Sequence, residues 1–454
     1  MTEAVRETSA ETAFRRAVAP GAVPLVGHVG ALWRRPLGFL ASLPAHGDIL
    51  ELRLGPRRAY VVCHPELIRK MLLSPRTFDR GGLFDKAKQL LGNSLSTTAW
   101  EEHRRQRLLI QPSFRPGRIA AYTSTVAEDA REAVASWSEG QLLDLSDAMH
   151  GLLMRVAAGT LFSSSMEDRA IEEARECLRV ASRGIYRRTI SPFGFLEKLP
   201  TAGNRRYRHS IARLRGIVAE VVASRAATGG GGEDLLDALL EAQGDDPAEQ
   251  LTEQEIHDQV VTFLVAGSET TASALAFTFY LLATHPEIEE RVHAEVGRVL
   301  DGELAAFEHL SELRYTSDVV TEALRLYPPS WMATRVTTED TALGGQDLRK
   351  GSLVLYSPYA VHRNPALFRE PDAFRPERWS ADRKEEIPRN AMIPFGAGSH
   401  KCIGDVLALT EAVLVVATVV ARWRLTAVAG SVLRPQPRAT LEPGPVVLRC
   451  ERRA

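Results

Sequence analysis

A cysteine on a glycine-punctuated loop that runs into an apolar helix constrains this chain more than any other stretch. It reads Phe395-Gly396-Ala397-Gly398-Ser399-His400-Lys401-Cys402-Ile403-Gly404, then Asp405-Val406-Leu407-Ala408-Leu409-Thr410-Glu411. A sulfur that binds iron must lose its proton, and the N–H groups and positive dipole end of a helix start favour the thiolate. Gly398 and Gly404 are positions where backbone can approach a flat macrocycle with no Cβ in the way. The loop reads as an axial thiolate for haem iron, a ligand that pushes electron density toward bound oxygen.

A second constraint is a long apolar helix. Thr252 with Glu255 three residues on forms a capping box, and apolar periodicity continues to Thr284, where His285-Pro286 stops it. Such a helix is about 48 Å long and would cross the whole fold. In its middle lies Ala266-Gly267-Ser268-Glu269-Thr270-Thr271. Polar groups in an apolar run are costly unless used. Gly267 tolerates a local bulge, and Thr270 can return its hydroxyl to a backbone carbonyl.

Phe-x-x-Gly-x-x-x-Cys-x-Gly running into Leu-Ala-x-x-Glu resembles the haem-binding signature of the cytochrome P450 monooxygenases. The resemblance implies a mainly α fold with a smaller β region, a triangular helical domain with haem b between the long central helix and the helix after the cysteine. It implies Cys402 as iron ligand, O2 as oxidant, Thr270 as inner proton donor and Glu269 as proton source. Phe395, Gly398, Gly404, Ala266 and Gly267 would contact the haem. His103 and Arg107, one helical turn apart and upstream of Pro112-Ser113-Phe114, would bind a propionate together with Arg335 and His400. His400 stands where the family more often carries arginine. Glu322, Arg325 and Arg378 would form a structural charge network under the cysteine loop.

At 454 residues, 44% hydrophobic and 25% charged, the composition is that of a globular protein with a large core. A net charge of −1 argues against nucleic acid. The polar N-terminus carries neither a signal-peptide pattern nor a transmembrane segment, and Cys63, Cys177, Cys402 and Cys450 are scattered as in reduced, cytoplasmic proteins. Residues 1–19 are expected to be a disordered tail and 20–454 one haem domain. Ile49–Leu54 and Ala59–Cys63 read as a hairpin, and Gly81-Gly82-Leu83-Phe84-Asp85 as a flexible loop. Breaks at 191–195 and 199–203 should form a lid. Gly229–Gly232 lacks a following Gly-Lys-Ser/Thr and reads as a linker.

Leu83, Phe84, Phe263, Leu264, Ala266, Trp331 and Met332 are expected to wall an apolar pocket with no charge but the proton relay. Ile185-Tyr186-Arg187-Arg188, Asn204-Arg205-Arg206-Tyr207, Glu255-Ile256-His257-Asp258-Gln259-Val260 and Tyr356-Ser357-Pro358-Tyr359-Ala360 are similar to actinobacterial oxidases of cyclic sesquiterpenes. That resemblance implies hydroxylation, in terpenoid secondary metabolism, of a small apolar terpene such as a pentalenene-like hydrocarbon, with successive oxidations at one carbon in prospect. Fatty acids, steroids and polyketides stay open as substrates. With no flavin or nicotinamide motif, electrons from NAD(P)H should arrive through a ferredoxin reductase and a ferredoxin, which would dock on Arg104, Arg105 and Lys401 of a monomer. A peroxide-driven enzyme and a haem-based sensor are the competing classes.

Overall fold

The computed structural model describes residues 14–162, 166–191, 194–228, 234–241, 250–383 and 386–453. Its axis is the helix Glu253–Thr284. The Thr252 and Glu255 box closes as the spacing predicts: Glu255 N–H donates to Thr252 Oγ1 at 3.2 Å, and Thr252 N–H donates to Glu255 Oε2 at 2.8 Å. Past its first turns the helix is apolar nearly all round, so it can rest only in a core. It is long and apolar enough to cross a membrane, yet 72% of its most apolar stretch is buried within the fold. The helix is α throughout, so the bulge expected at Gly267 does not form.

The helix Leu145–Phe162 packs along this axis, and the helix Asp405–Arg422, which follows the cysteine, lies against it through a Val- and Ala-rich run. The smaller β region flanks these helices. Its main sheet has the strand order 16–18, 49–54, 57–62, 353–356, 333–337, 78–79. Ile49–Leu54 and Arg57–Val62 pair antiparallel with Ile49 opposite Val62, which is the expected hairpin. A second sheet joins Trp423–Ala427, Val447–Arg452 and Leu142–Asp144.

Three sequence expectations change here. The disordered tail does not extend to residue 19: Arg16–Val18 adds a parallel strand beside Ile49–Glu51, and Ala19 is buried. Residues 1–13 and Gly229–Gly232 lie outside the described residues. Leu83, Phe84 and Asp85 are not loop but the first turn of the helix Leu83–Leu91, started where Asp85 Oδ2 accepts from Gly82 N–H at 2.9 Å. The lid is also built differently. No described residue of 191–203 lines the central cavity, which is roofed by Leu178, Ser182 and Ile185 of the helix Asp168–Ile190. Phe195 and Leu199 face outward, and Lys86 ties Glu197 down at 2.7 Å.

Candidate active site

The cysteine loop is held by its own backbone. Cys402 N–H donates to the Phe395 carbonyl at 2.9 Å, and 398–400 make a single 3₁₀ turn before the helix begins. Gly398 has φ +68°, and a Cβ there would lie 2.3 Å from the Leu72 carbonyl oxygen. It is therefore required for the loop's seat against Leu72, and it does not line the cavity, contrary to expectation; Gly396, Gly404 and Phe395 do. Cys402 lies deep in the fold but opens its thiol onto this cavity. Burial raises the thiol's pKa, while the Gly404 backbone, Arg107 and Lys401 pull the other way. The net direction is upward, so the helix start alone does not make the thiolate; a bound metal cation is what ionises such a sulfur.

Beside the loop the fold gathers arginines that no carboxylate pairs with directly, although Asp79 and Asp405 lie near enough to act on Arg80 and Arg107. Arg80, His103, Arg107, Arg335 and His400 all line the cavity, and among the described residues none of the three arginines lies within salt-bridge distance of a carboxylate. The His103 and His400 rings are 4.1 Å apart between centroids. Both ring nitrogens of His103, Nε2 of His400, Nε of Arg80 and Nε1 of Trp100 are buried with no hydrogen-bond partner. Burial and then the neighbouring guanidinium groups drive His103 down to about 3 and His400 lower still, so both rings stay neutral. Arg80 falls to about 9 through burial and the nearby Arg335. Buried cations and orphaned polar atoms of this kind demand an anion with several acceptor oxygens.

Above the loop the central helix presents Phe263, Ala266, Gly267, Glu269 and Thr270 to the cavity. Thr270 Oγ1 donates to the Ala266 carbonyl at 2.6 Å, the back-bond the sequence allows. Glu269 is buried, and that burial raises its carboxyl to about 7 against the pull of His150, Arg438 and Ser182. Leu83, Phe84 and Met332 also reach the wall. Leu264 and Trp331 do not: Leu264 packs in the core behind the helix, and Trp331 turns away, donating through Nε1 to the Arg438 carbonyl at 3.0 Å. The wall is less apolar than expected. Glu411 adds a second buried acid, raised to about 8 beside Thr271, and Thr160, Ser182, Thr262 and Thr440 bring hydroxyls.

Under the loop, Glu322 and Arg325 are both fully buried and meet through two hydrogen bonds of 2.8 Å. Arg378 Nε at 3.1 Å, Trp379 Nε1 at 3.0 Å and the Arg375 backbone N–H at 3.0 Å also donate to Glu322. Arg325 spends its other donors on the carbonyls of His362, Pro371 and Ala373. His362 accepts from Ile393 N–H at 3.0 Å through Nε2, which assigns its proton to Nδ1, 3.1 Å from the Arg325 carbonyl. The network thus reaches the segment that leads into the cysteine loop. Arg105, expected on a free basic face, is instead bound to Glu102, Glu255 and the Gln250 carbonyl; Arg104 is exposed.

Residues 19–448 match the family model for cytochrome P450. The chain belongs to the cytochrome P450 family. The P450 is 58% identical to a cyclooctat-9-en-7-ol 5-monooxygenase of Streptomyces melanosporofaciens over 453 residues, covering 100% of this chain and 99% of that one. It is 39% identical to a pentalenene oxygenase of Streptomyces avermitilis, with 94% and 95% covered. The pentalenene-type likeness therefore stands, but another relative is more similar. Among solved structures, the crystal structure of the cytochrome P450DA heme domain aligns at a TM-score of 0.86 and 27% identity, covering 97% of this P450 and 98% of that chain.

The family implies haem, and the residues fit it. Cys402 offers the sulfur, and the cluster of arginines and histidines offers donors for two propionates. Sequence reasoning missed Arg80 and Trp100, whose only signal was their closeness to Gly81-Gly82 and to His103. Arg80→Leu is expected to speed haem loss about tenfold, the worth of one charge-assisted hydrogen bond, as followed by transfer to apomyoglobin. Unchanged transfer would remove Arg80 from the propionate site.

Proposed function

We propose that this P450 is a cytoplasmic, monomeric monooxygenase that hydroxylates an unactivated C–H bond of a cyclic terpene, a hydrocarbon like pentalenene or an alcohol like cyclooctat-9-en-7-ol. Electrons come from NAD(P)H through a separate ferredoxin reductase and ferredoxin. One observation carries the reading: the cavity over Cys402 is walled largely by aliphatic and aromatic side chains, and its cationic residues, Arg80, Arg107, Arg335 and Lys401, all sit on the loop side. A fatty acid would leave its carboxylate without a cation at the far end, whereas a terpene asks for none. The names of the two terpene-oxidising relatives support the same class. Cys63, Cys177, Cys402 and Cys450 are all unpaired, in keeping with a reducing compartment.

Haem held by Cys402 would supply the oxygen-activating chemistry that a thiolate ligand favours. The chain supplies position and protons. Phe84, Phe263 and Met332 hold the substrate and exclude water. Thr270 Oγ1, fixed by its bond to Ala266, keeps its lone pairs toward the cavity, where it can accept a proton and pass one on. Glu269, poised at about 7, can carry and reload that proton near neutral pH. Thr270→Ala should keep haem and substrate affinity but divert most reducing equivalents into hydrogen peroxide, measured as product formed per NADPH consumed. Normal coupling would exclude Thr270 from proton delivery.

The deciding experiment is an optical titration of the ferric protein with pentalenene and with cyclooctat-9-en-7-ol, followed by turnover with ferredoxin and NADPH set against turnover with peroxide. A low- to high-spin shift and ferredoxin-dependent product are expected. A fatty acid that shifts the spectrum where neither terpene does would overturn the substrate class, and faster turnover with peroxide would overturn the electron route. Arg104→Glu should slow reduction by the ferredoxin.

A further inference from the structure

Thr160, Ser182, Thr262 and Thr440 reach the cavity from four separate pieces of chain: the helices Leu145–Phe162, Asp168–Ile190 and Glu253–Thr284, and the turn between Gln436–Pro437 and Leu441–Glu442. Each hydroxyl is buried; Thr160, Thr262 and Thr440 have no hydrogen-bond partner in the protein, and Ser182 makes no well-formed bond, with the Glu269 carboxyl as its one polar neighbour across the cavity wall. On the central helix some hydroxyls take the usual solution, although Thr271 and Ser273 are also left unpartnered. Ser268 donates to Leu264 O at 2.6 Å and Thr278 to Ala274 O at 2.8 Å. Thr160, Ser182 and Thr262 are on helices and have that solution within reach, yet leave it unused. Buried polar groups are rarely left so, and several orphans facing one cavity ask for a polar group on its occupant.

Two of them converge. Ser182 is close enough to lower the Glu269 carboxyl's pKa, and Arg438 and Glu442 also act on Glu269. Thr440 lies between Arg438 and Glu442, which are ion-paired to each other. Ser182 and Thr440 therefore share the Glu269 end of the cavity. A hydrocarbon filling the site would expel water and leave these hydroxyls bare; an alcohol would satisfy them as donor and acceptor at once.

We infer that the substrate enters already oxygenated, as a cyclic terpene alcohol, and that Ser182 and Thr440 receive its hydroxyl and so choose which carbon faces the iron. Thr160 and Thr262 extend the polar wall. This rests on the terpene reading of the same cavity and narrows it. It also places the enzyme after a hydroxyl-forming step, a cyclisation quenched by water or an earlier oxidation.

The test is a pair of spectral titrations of the haem-loaded protein with cyclooctat-9-en-7-ol and with its 7-deoxy hydrocarbon, checked by calorimetry. The alcohol is expected to bind about tenfold more tightly, the scale of one well-made hydrogen bond to an otherwise unpartnered group. Ser182→Ala combined with Thr440→Val should erase that preference by weakening the alcohol alone, with the thiolate–CO band intact as a check on folding. Equal affinities in the wild type, or a preference that survives in the double variant, would overturn the hydroxyl subsite and leave the terpene reading standing. Silence with both compounds, while an azole still binds the iron, would overturn the two together.

Discussion

Cys402→Ser is expected to abolish turnover and the thiolate–CO band while leaving the fold intact. The substitution exchanges sulfur for oxygen in a loop held by backbone, with Cys402 N–H on the Phe395 carbonyl and Gly398 seated against Leu72, so circular dichroism should not change. The chemistry does change. Burial already opposes ionisation of the thiol, and a serine hydroxyl, far less acidic, is harder still to ionise and would offer the iron oxygen in place of sulfur. Without a thiolate there is no electron push toward oxygen. The other cysteines cannot substitute. Cys63, Cys177 and Cys450 are all buried away from the cavity, and desolvation lifts Cys63 to about 12. A serine variant that kept the thiolate–CO band would remove Cys402 as the iron ligand.

What could be seen in the sequence follows from how local each signal is. The cysteine loop, the box at Thr252 and Glu255, and the stop at His285-Pro286 are written in neighbouring residues, and each stands where it was expected. Phe263 faces the cavity and Leu264 packs into the core behind it. Successive helical residues point about 100° apart, and the helix's orientation, which decides between them, is set by packing against Leu145–Phe162. Met332 reaches the cavity while Trp331 does not, because the Trp331 indole is held away by its bond to the Arg438 carbonyl, a contact made by a distant segment. Arg16–Val18 was invisible because a three-residue strand has no period to detect; it exists because Ile49–Glu51 offers an open edge. Arg80 and the unpartnered hydroxyls became candidates only once distant elements met around one cavity.

Glu322→Ala should be the most destabilising single change outside the cavity. Glu322 accepts from Arg325, Arg378, Trp379 and the Arg375 backbone, and removing its carboxylate leaves the fully buried Arg325 charge with carbonyl partners only. Breaking a buried pair on one side costs about 3–5 kcal/mol, against about 0–1 for an exposed one. The damage should travel along a definite route. Arg325 holds the His362 carbonyl, His362 Nε2 holds Ile393 N–H, and Ile393 leads into Phe395, whose carbonyl holds Cys402. Haem retention should therefore fall with stability, and the Soret signal should be lost at a lower denaturant concentration than the helical signal. Glu322→Gln, which keeps acceptor geometry on one oxygen, should fall between. A Glu322→Ala protein with the wild-type denaturation midpoint would mean that the buried charge is met by water and carbonyls alone, and that the network does not support the loop.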